Sequence, residues 1–161
     1  MSAATTELAN ESFMSADDLR SYMTQMQMAK ASSAVSSMEA ADKARKDLIK
    51  TLSEPIKVTP EFLKQVMSSL TLRMKKTAET GQSELMVMRF PTALCTDGGR
   101  AINNNEAGWP DTLTGRPRQA YELWRDHLRA GGFRLKAMII EWPGGLPGDV
   151  GFFLAWGESR Q

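Results

Sequence analysis

Glycine, proline and tryptophan are missing from the first third of the chain. Residues 1–54 contain none of them, although the 161-residue chain has 12 glycines, seven prolines and four tryptophans. Glycine and proline mark turns between elements, and tryptophan supplies large apolar area to a core. We therefore predict a mobile tail over residues 1–15, a helical extension rich in Met and Ala over residues 16–53, and a compact domain over residues 54–161.

The extension has the pattern of an amphipathic helix. Ser15 is a suitable N-cap, and two aspartates follow in the first turn, where the helix dipole favours anions. Leu19, Met23 and Met26 come next at helical spacing, and a thinner apolar stripe continues to Leu52. No heptad repeat covers the whole stretch, so we do not expect a long coiled coil. Packing on its own domain and contact with another chain both remain open.

The compact domain reads as alternating strands and helices. Thr59-Pro60-Glu61 is a strong helix start, and Gly81 is a suitable end. The other predicted elements are a short strand at Glu54–Val58, a strand at Glu84–Phe90, a helix from Arg116 to about Ala130, and strands at Phe133–Trp142 and Val150–Trp156. The resulting (β)αβαββ order predicts an α+β, two-layer sandwich.

Apolar side chains occur on both faces of the predicted strands. Two helices cover only one face of a small sheet, and soluble monomers rarely expose a large apolar patch. We therefore expect the second face to be covered by the N-terminal helix, by a second copy of the chain or by another protein. The candidate interface residues are Met86, Met88, Phe90, Met138, Ile140 and Trp142.

The long irregular stretch Thr92–Gly115, which follows the strand Glu84–Phe90, is a candidate anion site. Backbone N–H groups at a glycine-rich turn can bind a phosphate, and an arginine can add a charge-assisted bond. The candidate residues are Asp97, Gly98, Gly99, Arg100, Asn103, Asn104 and Asn105. Neither nucleotide-binding fingerprint is present. The alternative is a turn capped by Asp97 with no ligand.

Five basic residues form a candidate nucleic-acid surface on the second helix of the domain and the strand after it. Arginine and lysine clusters bind phosphate backbones, although a solvated face with interspersed acids has the same composition. The residues are Arg118, Arg125, Arg129, Arg134 and Lys136.

Catalytic and metal chemistry have little support in the sequence. One cysteine and one histidine cannot form a thiolate or multi-histidine metal site. Cys95 and His127 would have to meet to act as nucleophile and base, and a structural role for each is favoured. We expect no cofactor and no metal, and we name no catalytic residue.

The remaining composition bounds the function. The formal charge is +1, which does not favour a polybasic nucleic-acid binder, and no apolar run is long enough to cross a bilayer. The N-terminus lacks a signal-peptide pattern, so we expect a cytoplasmic protein. A module that self-associates or binds a partner protein is the leading hypothesis. RNA or DNA binding and a small anion-binding protein or enzyme are the alternatives.

Overall fold

The computed structural model describes residues 15–157 of the chain. The chain divides into two compact units, Met1–Lys46 and Asp47–Gln161, which are described separately. Apart from Ser15, the tail predicted for residues 1–15 lies outside the described residues.

The extension forms one helix, α1, from Ala16 to Ser53. Its start is capped as the sequence predicts, because the Ser15 hydroxyl accepts a hydrogen bond from the N–H of Asp18 at 3.1 Å. The Asp18 carboxylate in turn accepts from the N–H of Ser15. Within α1 no residue is buried, and only Ile49 and Leu52 are partly covered.

The second helix, α2, runs from Pro60 to Glu79. The Thr59 hydroxyl accepts a hydrogen bond from the N–H of Phe62 at 3.1 Å, and Pro60 occupies the first helical position, where its missing N–H costs nothing. The chain leaves the helix through Gly81 at φ +84°, a conformation that glycine adopts readily. No residue of α2 is fully buried.

Three antiparallel strands form the sheet in the order β1-β3-β2. Their bounds are Glu84–Pro91 for β1, Arg134–Ile139 for β2 and Asp149–Ala155 for β3. A one-turn helix, α3 (Arg100–Asn103), and a longer helix, α4 (Gly115–His127), lie between β1 and β2 in the chain. The predicted α+β class is confirmed.

The short strand predicted at Glu54–Val58 does not form, and this prediction is wrong. Pro55 has no N–H to donate to a neighbouring strand. The segment is instead held by a side chain, because the Gln119 amide accepts from the N–H of Ile56 at 2.9 Å and donates to its carbonyl at 2.7 Å. One glutamine therefore satisfies both backbone groups that a strand partner would have satisfied.

A β-bulge in β1 reverses the predicted faces of its second half. The register with β3 shifts between Met86 and Met88, so strict alternation of side chains is broken there. Met86 lies on the uncovered face, whereas Met88 packs against the core and Phe90 is completely buried. The prediction that Met88 and Phe90 belong to an exposed interface is therefore wrong.

The core lies between one face of the sheet and the part of the chain that runs from the end of β1 through α4. Phe90 and Phe152 meet edge to face, with ring centroids 4.9 Å apart. The stretch between β1 and α4, predicted as an irregular loop, contributes Leu94, Ile102 and Leu113 to the same core. It is fixed by an isolated bridge between Cys95 and Leu113.

Candidate functional site

The predicted anion site is built around the carboxylate of Asp97. Its Oδ1 accepts from the N–H of Gly99 at 3.0 Å, and its Oδ2 accepts from the N–H of Ala101 at 2.8 Å. Both oxygens thus serve the start of α3, and they occupy two of the amide groups that an anion would need. Gly98 and Gly99 both have positive φ, and Gly99 packs on Thr92. Arg100 and the asparagines Asn103, Asn104 and Asn105 are exposed.

Cys95 is a buried thiol, 5% exposed. Burial raises the pKa of this thiol to about 11, while a hydrogen bond with Thr112 opposes the shift. A thiol with such a pKa stays protonated at neutral pH and is a poor nucleophile. His127 is exposed at the end of α4.

The five predicted basic residues do not form one surface. Leu135 faces the same cleft as α4, so its strand neighbours Arg134 and Lys136 project from the opposite side of the sheet. Lys136 pairs there with Glu84 at 2.5 Å, and Arg134 donates to the carbonyl of Gly157. The expected local basic surface is therefore divided in two.

The helical members of this set are also paired with acids or rings. Arg118 pairs with Glu122 at 3.1 Å, and Arg125 pairs with Asp126 at 2.9 Å. The hydrogen bond from Arg125 lowers the pKa of Asp126, which keeps that carboxylate ionised. The guanidinium groups of Arg118 and Arg125 both lie over the ring of Tyr121, at 5.2 and 6.0 Å. Arg129 is exposed beyond the end of α4.

The uncovered sheet face carries a small apolar patch. Met86 pairs with Phe153 across β1 and β3, and both are at least partly exposed. Met138, 46% exposed, lies opposite Gly151, where an added Cβ would lie 2.9 Å from the Phe153 ring and 3.0 Å from Ile140. The patch is bordered by Arg89, which pairs with Glu141 at 2.5 Å and with Asp149 at 2.7 Å. Trp142, 49% exposed, follows the end of β2.

Helix α1 carries a longer apolar stripe. At about 100° per residue, one face collects large side chains in the first half of the helix and, apart from Leu48, small ones in the second. Leu19 and Met23 are each about half exposed, as is Leu48 near the other end. The members of this α1 stripe are six apolar residues, Leu19, Met23, Met26, Ala41, Ala44 and Leu48, and two polar residues, Lys30 and Ser37.

An apolar cleft of about 330 Å³ lies between α2, α4 and the sheet. Its side on α2 is formed by residues four apart, its floor by the covered face of the sheet, and its far side by α4. Fourteen of the sixteen lining residues are apolar: Ile56, Val58, Phe62, Val66, Leu70, Val87, Met88, Ala120, Leu123, Trp124, Leu128, Leu135, Phe152 and Leu154.

The two polar residues of the cleft lie on the first turns of α4. Gln119 holds Ile56 through the two hydrogen bonds already described, and Arg116 donates from Nε to the carbonyl of Glu54 at 3.2 Å. The segment Glu54–Val58 is thereby fixed to α4 beside the cleft. The sequence places Val66, Leu70 and Trp124 on apolar stripes, which is the only sign of the cleft. The gap itself depends on how far apart the helices pack.

Among residues 15–157, no group of three or more His, Cys, Asp or Glu side chains is placed to hold a metal ion. The described helices include none with the length and apolar character needed to span a bilayer. Comparison with protein-family models, curated proteins and solved structures gives no match to the chain.

Proposed function

We propose that the protein is an interaction module that self-associates through helix α1. The observation that supports this proposal is the exposure of the α1 stripe, where Leu19, Met23 and Met26 are 43–54% exposed. Helices in proteins gain most of their stability by packing an apolar face, and exposed apolar patches commonly mark interaction sites. Methionine adapts well to a partner surface.

Side-chain size favours a second copy of the chain, running antiparallel, as the partner. When two α1 helices cross between Ser33 and Ala34, Leu19 of one copy lies opposite Leu48 of the other. Met23 then faces Ala44, and Met26 faces Ala41, so that each of these methionines meets an alanine. The antiparallel arrangement also brings opposite ends of the two helix dipoles together.

Charge argues against the simplest alternative arrangements. Lys30 lies in the middle of the α1 stripe. A parallel, in-register pair of helices would place Lys30 of one copy against Lys30 of the other. An antiparallel pair shifted by seven residues, so that the helices cross at residue 30, would do the same. Like charges at such a contact repel. In the proposed register Lys30 faces Ser37 instead.

Sedimentation equilibrium of the full chain tests this function. The unaltered protein is expected to move from 17.8 kDa towards twice that mass as its concentration rises. Met23→Glu/Met26→Glu places two charges on the stripe and should weaken association at least about 100-fold, because each methionine contributes about 1.5 kcal/mol or more when buried.

Met28→Glu/Val35→Glu is the matched control. It adds the same two charges to exposed positions on the opposite side of α1, and it should leave association unchanged. A protein that stays at 17.8 kDa at every concentration would refute self-association. Equal weakening by both double variants would refute the role of the stripe.

A further inference from the structure

The cleft between α2 and α4 has the lining of a small-molecule site. Binding pockets of proteins typically measure about 300–1,000 Å³ and combine apolar walls with a few polar groups. This cleft, at about 330 Å³, has fourteen apolar lining residues and two polar ones. It lies wholly within the unit Asp47–Gln161, so its occupation does not depend on association through α1.

The two polar residues differ in what they leave available. The oxygen and the nitrogen of the Gln119 amide are both hydrogen-bonded to the backbone of Ile56. Arg116 uses Nε for the carbonyl of Glu54, a neutral acceptor, and within residues 15–157 it forms no ion pair. Its guanidinium is the single charged group on the lining of the cleft.

A guanidinium beside an apolar cavity selects its ligand by charge. Its terminal nitrogens form paired hydrogen bonds with a carboxylate, and these bonds are stronger where water is scarce. A ligand without a negative group would gain only from apolar burial. A small hydrophilic anion would gain nothing from the cleft walls.

We propose that the cleft binds an apolar molecule that carries one carboxylate, with its hydrocarbon part between α2 and α4 and its carboxylate on Arg116. Val66 and Leu70 of α2 face Leu123 and Trp124 of α4 across the bound chain. The Gln119 amide holds the segment Glu54–Val58 in place beside it. The carboxylate neutralises the charge that Arg116 brings to the lining.

Titration calorimetry with three probes tests the proposal on the full chain: decanoate, decanol and acetate. Decanoate is expected to bind most tightly, decanol more weakly and acetate not at all. Arg116→Gln should weaken decanoate at least about tenfold, equivalent to about 1.4 kcal/mol, and leave decanol unchanged. Arg129→Gln, which removes an exposed positive charge elsewhere, is the charge-matched control and should bind decanoate normally.

A filling variant tests the location of the hydrocarbon part. Val66→Trp extends a half-buried side chain of α2 into the cleft and should abolish binding of decanoate and decanol alike. The thermal unfolding of each variant shows whether it is folded. If Val66→Trp does not fold, Leu123→Trp fills the cleft from the side of α4 instead.

Four outcomes would overturn the proposal. The first is equal binding of decanoate and decanol with no effect of Arg116→Gln, and the second is decanoate binding that survives both filling variants. The third is no binding of either probe. The fourth is an unaltered protein that binds no probe and a Val66→Trp variant whose associated mass is lower than that of the unaltered protein, which would assign the cleft to a second copy of the chain.

Discussion

Gly115 is the glycine at which an added side chain would make the closest contact with the rest of the protein. Its φ is +58°, and a Cβ there would lie 2.3 Å from the carbonyl oxygen of Leu52 and 2.7 Å from Cα of Ser53. Both contacts are with backbone at the end of α1, so neither yields by a rotamer change. Glycine at this position allows α4 to begin directly against the last two residues of α1, which belong to the same unit.

Substitution of Gly115 is therefore expected to destabilise the fold. Gly115→Ala should lower the free energy of unfolding by more than about 2 kcal/mol, since a left-handed conformation and an overpacked contact each cost about 1 kcal/mol or more. Denaturant unfolding measures the loss. Gly108→Ala, with negative φ and open space around it, should change stability little. Similar losses in both variants would contradict this account of Gly115.

The Cys95 thiol gives a prediction with a defined pH range. Burial raises its pKa to about 11 from 9.0, so the unfolded chain loses this proton at a lower pH than the folded chain. The group therefore favours folding below pH 9, and this contribution is lost between about pH 9 and 11.

Thiol modification measured against pH checks the shift directly. In denaturant the rate should level off just above pH 9, whereas in the folded protein it should still rise through pH 10. A folded protein that reacts at pH 8 as fast as the denatured chain would contradict the buried placement of Cys95.

At the scale of elements, substitutions in the turn capped by Asp97 distinguish a structural role of this turn from a ligand-binding role. Asp97→Ala removes the acceptor for two backbone N–H groups and should cost about 1–2 kcal/mol in unfolding free energy. Asp111→Ala, an exposed aspartate in a neighbouring turn, is the control and should cost little. Stabilisation of the unaltered protein by inorganic phosphate, lost in Arg100→Ala, would support the anion-site hypothesis instead.

The sequence predicts the elements well where local signals are strong. Ser15, Thr59 and Gly81 mark helix ends correctly because capping depends on residues within one turn. The bulge in β1 escapes prediction, since Met86, Val87 and Met88 are all apolar and nothing in their order marks a register shift. The bridge of Ile56 to Gln119 joins residues 63 positions apart, and no local pattern predicts it.

The candidate sites were predictable only in part. Leu19, Met23 and Met26 stand out in the sequence because helical spacing alone places them on one face. Arg116 carries no sequence signal that separates it from Arg118 two residues later. Its role depends on the gap between α2 and α4, which is set by tertiary packing rather than by either helix alone.

At the scale of the whole molecule, charge bears on the nucleic-acid alternative. The formal charge is +1, and three of the five candidate basic residues, Arg118, Arg125 and Lys136, pair with acids. We expect no mobility shift of RNA or DNA at low salt. A shift that disappears as salt is added, and that is lost in Arg118→Ala/Arg125→Ala/Arg129→Ala, would contradict this expectation and favour nucleic-acid binding.

Self-association through α1 is the central claim for the molecule, and its geometry is specific enough to be trapped. Positions near the crossing point of two antiparallel helices meet their own copies. Positions near the ends are far apart, because 29 residues separate 19 from 48 and correspond to about 44 Å of helix. With Cys95 buried, single cysteines introduced on α1 report these distances under mild oxidation.

Disulfide trapping of Ser33→Cys and Leu19→Cys is therefore the most direct measurement. Ser33→Cys should form a covalent dimer, and Leu19→Cys alone should not. A mixture of Leu19→Cys and Leu48→Cys chains should cross-link with each other. Efficient cross-linking of Leu19→Cys to its own copy would show a parallel pair, and no cross-linking at any of these positions would contradict association through the α1 stripe.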